Sequence, residues 1–268
     1  MNYCNFRFSD LENRTLLITG TTTGIGKAAL PGLLEQGLNL ISLSNDRGLM
    51  EKIRAELGVN ENRLRLYQCD LADVEEVQKV ADEIARENIL LDAIWHNAGI
   101  GKRQPFETSE EDLWETMFHV NLISATVLTR CLLDKLKASG HGRIIFTSSV
   151  LFELGGSPRA AYASSKGAVE GLTRSLAHEL KHTGVTVNCL APGAIPTRQI
   201  NTNSLKNQQV IDWQSVGRRV LPVDMLGPVC LLLSEAGGGI SGQTWKIDGG
   251  LIHPLADPAH SPVICKFD

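Results

Sequence analysis

RTLLITGTTTGIG, residues 14–26, decides the fold of this chain. Its first seven residues form a short apolar run that reads as a buried strand, and Ile25–Gln36 behind it carries helical spacing. Across their junction stand Gly20, Gly24 and Gly26, with three residues separating the first pair. A glycine-rich turn joining a first strand to a first helix lets a pyrophosphate approach the backbone N–H groups at the helix N-terminus. Glycines also serve plain turns, so the turn has meaning only through its place in a strand–turn–helix unit. Pro31 removes one backbone donor from the helix and is expected to kink or interrupt it.

The same rhythm continues outward. LNLISLS (38–44), RLRLYQCD (63–70), LLDAIWHNAG (90–99), GRIIFTSS (142–149), VTVNCLAPG (185–193) and TWKIDGG (244–250) read as further strands. Residues 74–87 place Val74, Val77, Ala81 and Ile84 on one helical stripe. Residues 109–139 read as one long helix and 160–183 as another. Strands alternating with helices imply right-handed crossovers and a parallel sheet covered on both faces. No linker divides the chain. The expectation is one α/β domain over 1–268, doubly wound, with a core of about seven strands at 14–250 and short tails. Residues 194–222 break the rhythm, being long, polar and without an obvious strand. Gly237–Gly239 read as a flexible loop and not a phosphate site, because no buried strand precedes them.

Bulk properties narrow the function. Hydrophobic content of 43% and charged content of 21% suit a soluble globular protein. A net charge of −4 without a basic stripe argues against nucleic acid as the partner. No apolar run is expected to reach the ~20 residues that span a bilayer. MNYCNFRFSDLENR lacks the apolar stretch of a secretory signal. Six cysteines (4, 69, 131, 189, 230, 265) are scattered without a CxxC, and read as free thiols in a reducing cytoplasm. The histidines show no metal-ligand spacing, so no metal is expected.

Further motifs follow in a fixed order. Asp70 ends the third strand, HNAG (96–99) ends the fourth and Asn121 sits in HVNL. Ser149 ends the fifth strand, Tyr162 and Lys166 stand four apart in AAYASSKGAVEGL (160–172), and PGAIPT occupies 192–197. From Arg14 to Gly250 the chain resembles the short-chain dehydrogenase/reductase family, in its branch of about this length. TGTTTGIG matches that family's TGxxxGxG, HNAG its NNAG with His96 in place of the first Asn, and YASSK its YxxxK. The resemblance implies a Rossmann-like domain and an NAD(P)-dependent oxidoreductase interconverting a carbonyl and a secondary alcohol. Asn121, Ser149, Tyr162 and Lys166 would be catalytic, with Ser149 and Tyr162 on the substrate. Gly20, Thr22, Thr23, Gly24, Ile25, Gly26, Ser44, Asn45, Arg47, Asp70, Leu71, Asn97, Ala98, Gly99, Tyr162, Lys166, Pro192, Gly193, Ile195 and Thr197 would hold the cofactor. The resemblance also has Asn121 hold a water that relays protons to Lys166, and Lys166 bond the nicotinamide ribose.

The residues make chemical sense of this. Moving a hydride to or from a carbonyl carbon requires a proton at its oxygen. Tyrosine titrates near ~10, and a nearby ammonium favours the phenolate. Four residues apart on a helix, Lys166 shares the face of Tyr162, and is expected to lower its pKa. Ser149 ends a strand, on the ligand side of a parallel sheet. Ser148 beside it reads as a backbone partner, and His96 as a turn residue near the cofactor. Asn121, within an apolar stretch, needs a partner if buried, such as the backbone of a broken helical turn.

At the end of strand two, where an acid would bond the ribose and repel a 2′-phosphate, stands Ser44, followed by Asn45. Asp46 and Arg47 pull in opposite directions. The missing acid and the reach of Arg47 favour NADP over NAD. Against the oxidoreductase stands a non-catalytic dinucleotide-binding sensor or scaffold, which would not need Ser149, Tyr162, Lys166 and Asn121 together. An enoyl reductase would space Tyr and Lys more widely. The rim residues Ile100, Arg103, Leu151, Phe152, Glu153, Ile195, Arg198 and Trp213 permit a sugar acid, a small cyclic ketone or a 3-oxoacyl thioester. Leu122, Val127, Leu128 and Leu132 spread apolar surface around the helix at 109–139, so homodimers or homotetramers are expected. Residues 197–217 are expected to be a mobile lid.

Overall fold

Alternate strand residues point into opposite helical layers, as the pleat requires. In β1 (Thr15–Thr19), Leu17 packs with one layer while Leu16 and Ile18 pack with the other. In β5 (Arg143–Thr147), Ile144 and Phe146 divide from Ile145 in the same way. The remaining strands are β2 (Asn39–Ser44), β3 (Leu64–Gln68), β4 (Ala93–His96), β6 (Thr186–Pro192) and β7 (Thr244–Ile247). They form one sheet in the order β3-β2-β1-β4-β5-β6-β7, and every neighbouring pair is parallel. This computed structural model describes residues 5–196 and 210–251.

One face of the sheet is covered by α3 (Val74–Arg86), α5 (Ser124–Ala138) and α7 (Ala160–Glu179). The other carries α1 (Gly24–Glu35), α2 (Arg47–Glu56) and α8 (Leu226–Leu233). The two short elements α4 (Glu111–Phe118) and α6 (Leu151–Leu154) lie at the carboxyl edge of the strands. The strand order reverses between β1 and β4, the place where open parallel sheets bind ligands.

Several expectations change. Pro31 does not interrupt α1: the carbonyl it leaves without a donor belongs to Lys27, an exposed residue whose oxygen water can satisfy. The fourth strand shrinks to Ala93–His96, since Leu90 is exposed and Asn97 N turns back to the Trp95 carbonyl. α2, capped by Asp46 accepting from Leu49 N at 2.8 Å, and the apolar α8 were not anticipated. The helix at 109–139 is a continuous run, Glu111–Ala138, but contains a π turn at His119–Ile123. Among the described residues this run does reach the length and apolarity of a membrane span, contrary to expectation. Its Val127, Leu128 and Leu132 are core residues packed on the sheet side, so they add nothing to an outward apolar face. α7 ends at Glu179, short of 183. Gly237 is packed and not a loose loop, since a methyl there would fall 2.3 Å from the Leu231 carbonyl. Among the described residues Cys69, Cys131, Cys189 and Cys230 form no disulfide, while Cys4 and Cys265 lie outside the described residues.

Of the expected lid, 197–209 lies outside the described residues. The rest is a docked element. Gln214, buried, donates from Nε2 to the Asp248 carbonyl at 2.9 Å and pairs with Leu251 in an antiparallel bridge. Val210 and Val220 are buried as well, which supplies the apolar contact that a free polar strap lacks.

Candidate active site

The turn after β1 is built backbone on backbone. Gly20 has φ +73°, and a methyl added to it would meet the Ala98 Cα at 2.8 Å. A methyl on Gly26 would fall 2.2 Å from the Gly20 carbonyl and 2.7 Å from Asn97 Nδ2. Asn97 donates to the carbonyls of Thr19 and Gly20 at 3.0 and 3.2 Å, and Ala98 N to the Thr19 hydroxyl at 3.0 Å. Thr23, the N-cap of α1, makes no side-chain capping bond, so its hydroxyl does not occupy the first-turn N–H groups of that helix. The result is a cradle of N–H groups that fits the pyrophosphate of NAD(P). Thr22 shares a hydrogen bond with Ser44 at 3.0 Å, linking the cradle to the end of β2. Asp70 is exposed after β3 and Leu71 is buried beneath it.

At the end of β2 the groups sort themselves. Ser44 is buried and Asn45 exposed. The Asp46 carboxylate is turned to its own helix as cap. Arg47 is less free than the sequence suggested, because its guanidinium binds Glu51 at 2.8 Å and the Leu66 carbonyl.

Beyond β4, β5 and β6 the second half of the site converges. Asn121, 5% exposed in the π turn, accepts from Ile100 N at 2.9 Å and donates to the Ile100 carbonyl at 3.1 Å and to Ser165 Oγ at 2.9 Å. It therefore fastens the loop after β4 to the helix run and to α7. A methyl on Gly99 would lie 3.1 Å from Lys166 Nζ and 3.2 Å from Asn121 Oδ1, so these two groups face one small space. Ser149 is buried after β5, its Oγ accepting from Leu151 N at 3.3 Å. Ser148 is a backbone partner as anticipated, donating to the Lys166 carbonyl at 3.1 Å. On the β6 side, Pro192 accepts from Val150 N at 3.1 Å, and a methyl on Gly193 would fall 2.8 Å from Asp248 Cβ. Ile195 N bonds the Gly193 carbonyl at 2.8 Å. Thr197 and Arg198 lie outside the described residues.

The electrostatics differ from the simple pairing of phenol and amine. Lys166 is buried, and its Nζ donates to the Thr147 carbonyl at 2.7 Å. Burial lowers its pKa to about 8. Burial also raises the Tyr162 pKa; the Ser149 hydroxyl and then the Arg159 charge work against that rise. Lys166, 5.9 Å from the ring centre, is not among the groups that lower it. The strand-end carbonyl holds the ammonium instead. His96 is also displaced from its expected role. It lies in the core, bonded to Thr129 at 2.8 Å and stacked on Phe146, and burial lowers its pKa to about 3. No cluster of metal-binding side chains occurs among the described residues.

Three participants were missed: Thr147 through its carbonyl, Ser165 as partner of Asn121, and Arg159 beside the Tyr162 ring. A carbonyl leaves no trace in a sequence. Ser165 and Arg159 do flank Tyr162 at helical spacing, which was the available signal.

Residues 14–208 match the short chain dehydrogenase family. The chain is similar to the 2-dehydro-3-deoxy-D-gluconate 5-dehydrogenases of Pseudoalteromonas atlantica (33% identity, covering 90% of this chain and 96% of the relative) and Bacillus subtilis (34%, 93% and 98%). The 3-oxoacyl-[acyl-carrier-protein] reductase of Escherichia coli is 30% identical, with 90% and 98% covered. A crystal structure from Beutenbergia cavernae, described as an NAD(P) dependent gluconate 5-dehydrogenase with NADP at low occupancy, superimposes with a TM-score of 0.82 at 36% identity, covering 92% of this chain and 99% of that one. The chain belongs to the short-chain dehydrogenase/reductase family. It is an NAD(P)-dependent oxidoreductase acting between a carbonyl and a secondary alcohol, with Tyr162 as general acid/base.

Proposed function

We propose that this enzyme interconverts a hydroxyl and a keto group on a sugar acid, using NADP. The convergence of Ser149, Tyr162 and Lys166 below the loop pinned by Asn121 carries the chemistry of this reading. The names of the gluconate-type relatives support the substrate class.

In reduction, the Tyr162 hydroxyl gives its proton to the carbonyl oxygen as the carbon gains a hydride. In oxidation, the phenolate takes the proton of the alcohol. The nicotinamide cofactor supplies or accepts that hydride when bound. Ser149 holds the substrate oxygen beside the phenol. Lys166, with a pKa near the working range, returns protons to the tyrosine, and Asn121 holds a water on the path to it. Gly20 to Gly26 receive the pyrophosphate; Asp70 and Leu71 border the adenine; Asn97 to Gly99 and Pro192 to Ile195 flank the nicotinamide end. NADP is favoured because no carboxylate faces out at the end of β2, where Ser44 stands and Asp46 is committed to its cap. Arg47 would reach a 2′-phosphate by leaving Glu51. We further propose a cytoplasmic homodimer or homotetramer, joined through the half-exposed Leu122, Ile123 and Leu133. Sedimentation as a monomer at micromolar concentration would remove that last element.

The test is a panel of sugar acids, cyclic ketones and 3-oxoacyl thioesters with NADP(H) and NAD(H). Turnover confined to the sugar acids is the expected result; preference for a thioester or a cyclic ketone overturns the substrate class.

A further inference from the structure

Two guanidinium groups stand near Tyr162 with no acid paired to them among the described residues. Arg159 is the N-cap residue of α7, and its Cζ lies 5.8 Å from the centre of the Tyr162 ring. Arg103 lies in the loop that leaves β4. That loop is stitched to the one before α7, because Gln104 N donates to the Pro158 carbonyl at 3.2 Å. The residues next to this bond are Arg103 and Arg159 themselves. Their charges are close enough to act on each other: burial first, and Arg103 second, hold the Arg159 guanidinium below its ordinary pKa. A methyl on Gly101 would fall 3.3 Å from the Tyr162 ring and 3.4 Å from Arg159 Nη1, so the tyrosine and Arg159 border the same open turn.

Neither arginine forms an ion pair among the described residues. Glu153, a nearby rim carboxylate, is bound to Lys246. Two half-buried cations with no counter-charge among the described residues repel each other, and an anion placed between them offsets that repulsion. A planar guanidinium also matches a carboxylate in two parallel hydrogen bonds.

We propose that Arg103 and Arg159 form a receptor for a carboxylate of the substrate, set apart from the carbon that reacts at Tyr162, and that this receptor selects acids over their uncharged counterparts. The inference rests on the reading that Tyr162 serves a substrate in this cleft.

Calorimetric titration of D-gluconate and of neutral D-gluconamide into the NADP-saturated protein tests it. Wild type should prefer gluconate by about 30-fold, the scale of a hydrogen bond to a charged group. Arg103→Gln combined with Arg159→Gln should bring the ratio close to one, and Arg159→Lys alone should keep part of it. A double variant that keeps the preference overturns the receptor, as does a wild type that binds both compounds alike or neither. The two readings fail differently. Charge-selective binding with turnover confined to a cyclic ketone or a thioester removes the sugar-acid reading and spares the receptor. Turnover that ignores the carboxylate removes the receptor and spares the oxidoreductase.

Discussion

Lys166 Nζ donates to the Thr147 carbonyl at 2.7 Å while standing 5.9 Å from the centre of the Tyr162 ring. The end of β5 thus positions the lysine, and the phenol is left in a setting that keeps it protonated. A protonated phenol is the form that donates to a carbonyl oxygen in the reductive direction.

Tyr162→Phe removes the donor and little else. Turnover should fall about a thousandfold, within the usual range for losing a general acid. The NADP dissociation constant, read by fluorescence titration, should stay within a few-fold. Near-normal kcat on any good substrate would overturn the assignment.

Lys166→Met tests the buried charge. The folded pKa of about 8 lies below the ordinary 10.5, so the folded state gives up its proton before the unfolded state does. Stability therefore rises as pH climbs from about 8 to about 10.5, and below 8 the fold carries the cost of a buried ammonium. The methionine variant should be more stable than wild type at pH 7, with a gap that narrows by pH 10. Urea midpoints at the two pH values measure this, and a gap that widens contradicts it. The same variant should lose both turnover and NADP affinity.

Asn121→Ala leaves Ile100 N–H, the Ile100 carbonyl and Ser165 without their shared partner. A cost of about 1–3 kcal/mol follows from burying unpaired groups. Hydrogen exchange separates this from a catalytic loss: the Ile100 amide should be protected in wild type and exchange rapidly in the variant.

Gly26→Ala places a methyl 2.2 Å from the Gly20 carbonyl, which is backbone and has little room to give. We expect a loss of about 1–3 kcal/mol in stability and a weakened NADP complex. Calorimetric unfolding and cofactor titration report the two effects, and an unchanged variant would show that the cradle is not close-packed.

Ser44→Asp adds the missing carboxylate at the end of β2. The kcat/KM with NADP should fall at least about tenfold relative to that with NAD, because a 2′-phosphate would then meet a like charge. An unaltered ratio would place the ribose contact elsewhere.

The strand–turn–helix of residues 14–26, the Tyr162–Lys166 spacing and the order of the motifs were all legible in the chain. Period, glycine placement and residue type are local properties, and local properties are what a sequence displays. Seven strands followed, along with the cradle and the four residues Asn121, Ser149, Tyr162 and Lys166. Tertiary structure alone decided what those groups touch. It sent the lysine to a strand-end carbonyl, turned Asp46 into a helix cap and drew Arg47 toward Glu51. It buried His96 against Phe146, docked Gln214 on Asp248 and Leu251 just beyond β7 and set Arg103 beside Arg159 across two stitched loops. Each of those outcomes depends on a backbone carbonyl or a partner distant in the chain. Such partners are chosen when the sheet closes and buried polar groups must find hydrogen bonds, a competition settled in space and not by spacing along the sequence.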